Sequence, residues 1–207
     1  MRPNLQAQQN KSYPSSYVRQ QTGFSLIEVL ISVIILSFGL LGMVGLQAAA
    51  LQGNRDARLQ STAVSLAREL AEMMRGNKNI ALLAAANPYL GSFTTPLTAP
   101  TPAYCLNVAA AACANPTAVA NAQMTEWLAR VDAELPGARV DVCIDSAPFN
   151  SSGSPVWNCT TTGTAATTVI KIGWTRASTN RSATGADAFQ RATAPSIVFS
   201  ITAGNTI

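Results

Sequence analysis

Few side chains in this sequence are equipped for chemistry, and their surroundings mark them out. From Gly23 the chain reads Gly-Phe-Ser-Leu-Ile-Glu, and Val29–Leu46 then supply 18 residues without a charge. A carboxylate such as Glu28 inside an apolar run costs a few kcal/mol or more, so it marks a function or a dedicated partner. The other reactive groups are four cysteines, Cys105, Cys113, Cys143 and Cys159. They form no C-x-x-C pair, and the sequence holds no His to complete a zinc site, so no metal is expected. The lack of His also removes the commonest general base and the usual partner of a nucleophilic Cys. Glu126, Glu134, Asp141 and Asp145 form no motif and read as solvated surface charge. The Ser-rich stretch 151–154 has no Ser/His/Asp context. Neither an enzyme nor a cofactor is expected.

Glu28 must be positioned by a helix. An 18-residue uncharged run, rising about 1.5 Å per residue, is long enough to cross a hydrocarbon core of roughly 30 Å. A plain anchor, a cleaved secretory signal ending near Ala48-Ala49-Ala50, and a buried core helix all compete for it. A secretory apolar region is normally about 7–15 residues long and carries no acid, and a core helix this apolar needs a much larger protein around it. Residues 1–22 carry Arg2, Lys11 and Arg19, no acid and no apolar periodicity. The positive-inside rule therefore places this end in the cytoplasm and everything after Leu46 outside it.

The helix is expected to continue. Leu59, Ala63, Leu66, Leu70 and Met73 form one apolar stripe, and Gly76-Asn77 supplies a stop with Arg75 suited to the negative end of the dipole. One helix from Phe24 to about Arg75 would be about 80 Å long. Gly39, Gly42 and Gly45 interrupt it near the boundary; close packing in the membrane and a segment that loosens on leaving lipid are both open. Residues 77–116 read as loop, with five prolines among Ala and Thr. Asn115-Pro116 then opens a second helix as N-cap and first helical residue. Met124, Leu128, Val131 and Leu135 form its apolar face with Trp127 beside it, and Glu126–Arg130 is an expected i,i+4 pair. Leu135-Pro136-Gly137 ends it.

Beyond that turn the period becomes two. Val140, Val142 and Ile144 alternate with Asp141, Cys143 and Asp145; Ile170, Ile172 and Trp174 form a second set; Ile197, Phe199 and Ile201 form a third. These predict three half-buried strands joined by loops at 146–166 and 175–194. A small antiparallel sheet with one apolar face needs a cover, and the Leu59–Met73 stripe is the obvious one. In an exported domain disulfides are the default. Of three possible connectivities the sequential one is preferred: Cys105 and Cys113 flank an Ala-rich loop, and Cys143 on a strand can reach Cys159 in the loop after it.

Composition agrees with an exported, weakly charged domain. The chain has 207 residues, a formal charge of +4 and 12% charged residues, against about 25% in ordinary soluble domains. Residues 47–207 hold eleven Lys and Arg against nine Asp and Glu, so no clustered basic face calls for nucleic acid.

Gly-Phe-Ser-Leu-Ile-Glu followed by an unbroken apolar helix resembles the class III signal of type IV pilins and type II secretion pseudopilins. The resemblance implies cleavage after Gly23 by a prepilin peptidase, N-methylation of Phe24, and Glu28 as the family's hallmark acid at mature position five. The 23-residue leader is long for the simplest pilins, and Thr22 stands where a basic residue is common. The resemblance also implies an α+β pilin fold: a 1–23 leader, a 24–76 spine helix with 24–50 transmembrane, and a periplasmic globular domain over 77–207 built on a small antiparallel β-sheet. Four features in series resemble PilV-type minor pilins: the Gly-Leu-Leu-Gly-Met-Val-Gly-Leu-Gln boundary, the Cys-containing Ala-rich loop, the Trp127 helix ending in Leu-Pro-Gly, and a strand ending in Trp174. In that family the role is assembly, helping to initiate the filament and sitting near its tip. The implied partners are prepilin peptidase, other minor and major pilins, the inner-membrane pilus assembly machinery and the inner membrane itself. A type II secretion pseudopilin is the alternative within the family, and a membrane-anchored periplasmic binding module the alternative outside it.

Overall fold

Apolar periodicity that changes from 3.6 to two at Gly137 builds a helical half and a sheet half. The computed structural model describes residues 23–162, 166–178, 180 and 182–202. The leader expected over 1–23 therefore lies outside the described residues except for Gly23. The chain divides into two compact units, Met1–Ala49 and Ala50–Ile207.

In the first unit the described chain is the opening of one long helix, α1 (Leu26–Gly76). It remains helical across Gly39, Gly42 and Gly45, and every residue from Gly23 to Ala50 is exposed in the isolated chain.

In the second unit the later turns of α1 pack on a small antiparallel sheet, giving an α+β architecture consistent with the pilin fold. Besides α1, the elements are α2 (Lys78–Ala81), β1 (Gly91–Thr94), α3 (Pro116–Glu134), β2 (Arg139–Asp145), β3 (Thr167–Gly173), β4 (Arg176–Ala177), β5 (Phe189–Gln190) and β6 (Ile197–Ile201). A sheet of order β1-β2-β3-β6 has all its pairs antiparallel, and β4 and β5 form a separate two-stranded ribbon. Val140 faces Ile172 and Val142 faces Ile170 across β2 and β3, so one face of the sheet presents branched apolar side chains to α1.

The stripe on α1 differs from expectation by a small rotation. Its buried residues are Ala63, Leu66, Ala67, Leu70, Ala71 and Met74, while Leu59 and Met73 are only partly covered. Three alanines at spacing four form its centre. The second helix, α3, starts as the sequence requires: Asn115 accepts a hydrogen bond from the Ala118 N–H at 2.8 Å, with Pro116 in the first turn. Trp127 is central rather than flanking. It is fully buried, and its indole N–H donates to the Leu66 carbonyl of α1 at 2.9 Å. Arg130 does not pair with Glu126; it reaches across to Glu69 of α1 at 2.5 Å. A cross-helix carboxylate that is itself partly shielded offers a better partner than one on the same solvated face.

The turn after α3 depends on one glycine. Gly137 has φ +57°, and a Cβ there would meet the Thr175 hydroxyl at 2.3 Å. The left-handed conformation and the close approach both require Gly.

Two stretches expected to be loops carry short elements. The stretch 77–116 contains α2 and β1, and the stretch 175–194 contains β4, β5 and a 3-10 turn over Gly185–Ala188. These pieces are too short to show a period: β1 turns only Phe93 inward, and β4 and β5 have two residues each. The half-buried reading of β2 and β3 is also corrected. Val169 and Lys171 on the outer face of β3 are fully buried, as are Asp141 and Asp145 on β2 within a few per cent.

Because Trp127 joins α1 to α3 by both packing and a hydrogen bond, Trp127→Ala should destabilise the second unit by about 3–5 kcal/mol. Urea unfolding of the full chain in detergent, followed by near-ultraviolet circular dichroism, measures it; a loss below about 1 kcal/mol would show the helix pair is held elsewhere.

Candidate functional site

The N-terminal segment is arranged to present an acid at the start of a helix. The Glu28 and Val29 N–H groups donate to the Ser25 carbonyl at 3.0 and 3.3 Å, so the chain leaves its extended start at Ser25 and Glu28 falls in the first turn of α1. A carboxylate there is favoured by the positive end of the helix dipole. Phe24, two residues before the helix, is almost entirely exposed. In the turns that follow, the polar groups are satisfied internally: the Ser32 hydroxyl donates to the Glu28 carbonyl and the Ser37 hydroxyl to the Val33 carbonyl, both at 2.7 Å. The side chains turned outward are Leu, Ile, Val and Phe. By length and composition this is the helix among the described residues that can cross a membrane.

The cysteines sit in the second unit. Cys105 is joined to Cys113 with Cα atoms 5.0 Å apart, and Cys143 to Cys159 with Cα atoms 6.4 Å apart, both within the usual span of a disulfide. The second bridge ties the loop 146–162 over the outer face of the sheet. Trp157 of that loop lies against Gly173, where a Cβ would approach its ring to 2.9 Å. The Arg139 guanidinium stacks 4.2 Å from the centre of the Trp157 ring and pairs with Asp141 at 2.9 Å.

Beneath the loop is a buried ion pair that the sequence did not disclose. The Lys171 Nζ lies 2.6 Å from Asp145 Oδ2, and both side chains are inaccessible to solvent. The remaining Lys171 protons go to the loop carbonyls of Asn158 at 2.7 Å and Trp157 at 3.4 Å. Asp145 Oδ1 accepts from the N–H groups of Ala147 at 2.9 Å and Thr160 at 3.0 Å. Asp145 is therefore not the solvated surface acid expected, and neither is Asp141. Burial pushes the Asp145 carboxyl upward, but the Lys171 hydrogen bond, the two backbone N–H donors and the Lys171 charge outweigh it and hold the group below the usual Asp range. Such a network ties β2, β3 and the loop into one piece. Its one signal in the sequence is Lys171 itself, a lone charge between Ile170 and Ile172.

The two groups of residues do different work. The bridges and the ion pair organise a domain; they bring no nucleophile, base and acceptor together. The Gly23–Glu28 segment sets an exposed Phe24 two residues before the helix and an acid in its first turn. Residues 18–44 match the family described as the prokaryotic N-terminal methylation motif. No curated protein matches the chain, and no solved structure does. The motif supports a type IV pilin-like protein and points to a structural subunit rather than an enzyme. With the apolar helix, it fits anchorage in an inner membrane.

A carboxylate whose pKa is depressed on folding contributes stability that is complete above its ordinary value, about 3.9, and is lost as pH falls through the lower folded value. Asp145→Asn leaves Lys171 buried without its counter-charge and should cost about 3–5 kcal/mol at pH 7. The gap to wild type should narrow at pH 3 and below, where the wild-type carboxylate begins to protonate. Urea titrations at both pH values measure this; an equal gap at both would show that Asp145 does not titrate with folding.

Proposed function

We propose that the chain is a minor pilin of PilV type: an assembly subunit that helps initiate a type IV pilus and is incorporated near the filament tip. The observation that carries the reading is Glu28 in the first turn of a helix that runs unbroken to Gly76, four residues after Phe24, inside a segment that matches the methylation motif. In this reading a prepilin peptidase cuts between Gly23 and Phe24, and the freed Phe24 amine is methylated. The leader faces the cytoplasm, residues 24–50 cross the inner membrane, and the domain from residue 77 onward is periplasmic. Arg2, Lys11 and Arg19 ahead of the span support that orientation.

Processing changes the electrostatics of the helix start. It places a cationic amine one turn from the Glu28 carboxylate, at the edge of or within lipid, where two unpaired charges are costly. Glu28 resolves this by pairing with the Phe24 amine of a neighbouring subunit. The pair then fixes the axial register of an incoming spine, because displacement along the helix separates both charges in a medium of low dielectric. The partners are the other minor and major pilins and the inner-membrane assembly machinery.

Two variants test the two steps separately. Gly23→Val should leave an unprocessed precursor that stays in the membrane, since the span is untouched; mature-sized protein in this variant would move the cleavage site. Glu28→Leu makes the span more apolar, so it should be processed and inserted at wild-type level, while its recovery in sheared pili or partner pull-downs falls. Normal recovery would exclude an inter-subunit role for Glu28. Mass spectrometry of the membrane-extracted protein should find methylated Phe24 at the N-terminus; an intact Met1 would favour a plain anchor.

A further inference from the structure

The stripe that α1 buries against the sheet does not end where its cover ends. Leu51, Arg55 and Leu59 precede Ala63 at spacings of four, which places them on the same side of the helix. Arg176 and Phe189 of the β4–β5 ribbon complete an open groove of about 360 Å³ with them. Two of these side chains are apolar and largely uncovered, Leu51 at 70% and Phe189 at 59% exposure. Two are exposed guanidinium groups, Arg55 and Arg176. The salt bridges found among the described residues involve neither arginine. Arg176 lies 4.9 Å over the Trp174 ring, which orients its plane. Asp56 also borders the groove, but as the immediate neighbour of Arg55 on the helix it does not face it. The groove thus carries two cations against one anion.

We propose that this groove binds the phosphate of a membrane phospholipid headgroup, with Leu51 and Phe189 entering the acyl boundary, and so seats the second unit on the bilayer. The proposal rests on residues 24–50 being a membrane span. Leu51 follows that span directly, and Arg55 by five residues, about 8 Å of helix. Helical side chains lean toward the N-terminus, so the long Arg55 side chain reaches back toward the headgroups. Guanidinium forks match phosphate oxygens in geometry and charge, and exposed aromatic rings favour the interface between lipid and water. The apolar part of a second copy of α1, Val29 to Asn54, is the competing occupant. It contains no acid, so it would cover Leu51 and Phe189 and leave two arginines without a counter-charge.

The test uses the full chain in maltoside detergent, which has no phosphate, titrated with phosphatidylglycerol and followed by native mass spectrometry. Arg55→Gln and Arg176→Gln should each weaken retention of the lipid about fivefold, and the double variant about 25-fold, as expected for one headgroup charge contact apiece. Arg68→Gln, outside the groove on the same helix, should leave retention unchanged and controls for general loss of charge. Equal retention by the wild type and the double variant overturns the proposal. So does competition by inorganic phosphate at concentrations matching the lipid, which would assign the groove to a free anion. Loss of chain–chain association by the double variant with lipid retention intact would assign it to a second copy. The measurement needs no filament, so it is decided independently of whether Glu28→Leu alters co-assembly.

Discussion

A single helix, α1, joins an apolar half able to cross a membrane to a striped half that packs on the sheet, with one hydrogen-bond ladder. Backbone amides in hydrocarbon have no water to turn to; past its first turn a helix pairs them internally, and the Ser32 and Ser37 hydroxyls fold back onto carbonyls. In its first turns, apart from Glu28 and the two serines, the side chains are apolar on every side. In its later turns only a stripe remains apolar, built around Ala63, Ala67 and Ala71, and the sheet and α3 are assembled against that stripe. Trp127 is the piece that commits α3 to it, since its ring needs a large buried volume and its N–H needs an acceptor there.

The second dependency runs across the far side of the sheet. A four-stranded sheet covered on one face leaves the other wet, and here that face is closed by a loop instead of a helix. The loop is poor in apolar residues, so it is held by a disulfide, by Trp157, and by a buried ion pair whose remaining hydrogen-bonding capacity is spent on loop backbone. A buried pair of this kind is weak as a source of stability and strong as a constraint: Lys171 and Asp145 tolerate only the loop path that meets all their hydrogen bonds.

Long periodic elements were legible in the sequence because burial on one face leaves a mark every 3.6 or two residues. The 51-residue α1, the Asn115-capped α3 and the cores of β2, β3 and β6 all carried that mark. Short pieces did not: β1 buries one side chain, and the ribbon strands bury none. The candidate site divides along the same line. Gly23, Phe24 and Glu28 stood out because their pattern lies in linear order, and they fall within the segment that matches the N-terminal methylation motif. Lys171, Asp145 and Trp157 did not, because a charge in an alternating strand looks solvated until something is known to cover it. That cover comes from a loop whose path depends on a bridge at Cys159 and a clearance at Gly173, neither of which has a period.

The burial of Lys171 gives the domain a chemical reporter of its own state. Only two lysines follow the apolar span, Lys78 and Lys171; the first is exposed and the second is sealed. An amine-reactive reagent therefore acylates Lys78 whenever the chain is present and Lys171 only while the loop is lifted. The ratio of the two labels counts how often the outer face opens, without a probe having been added to the protein.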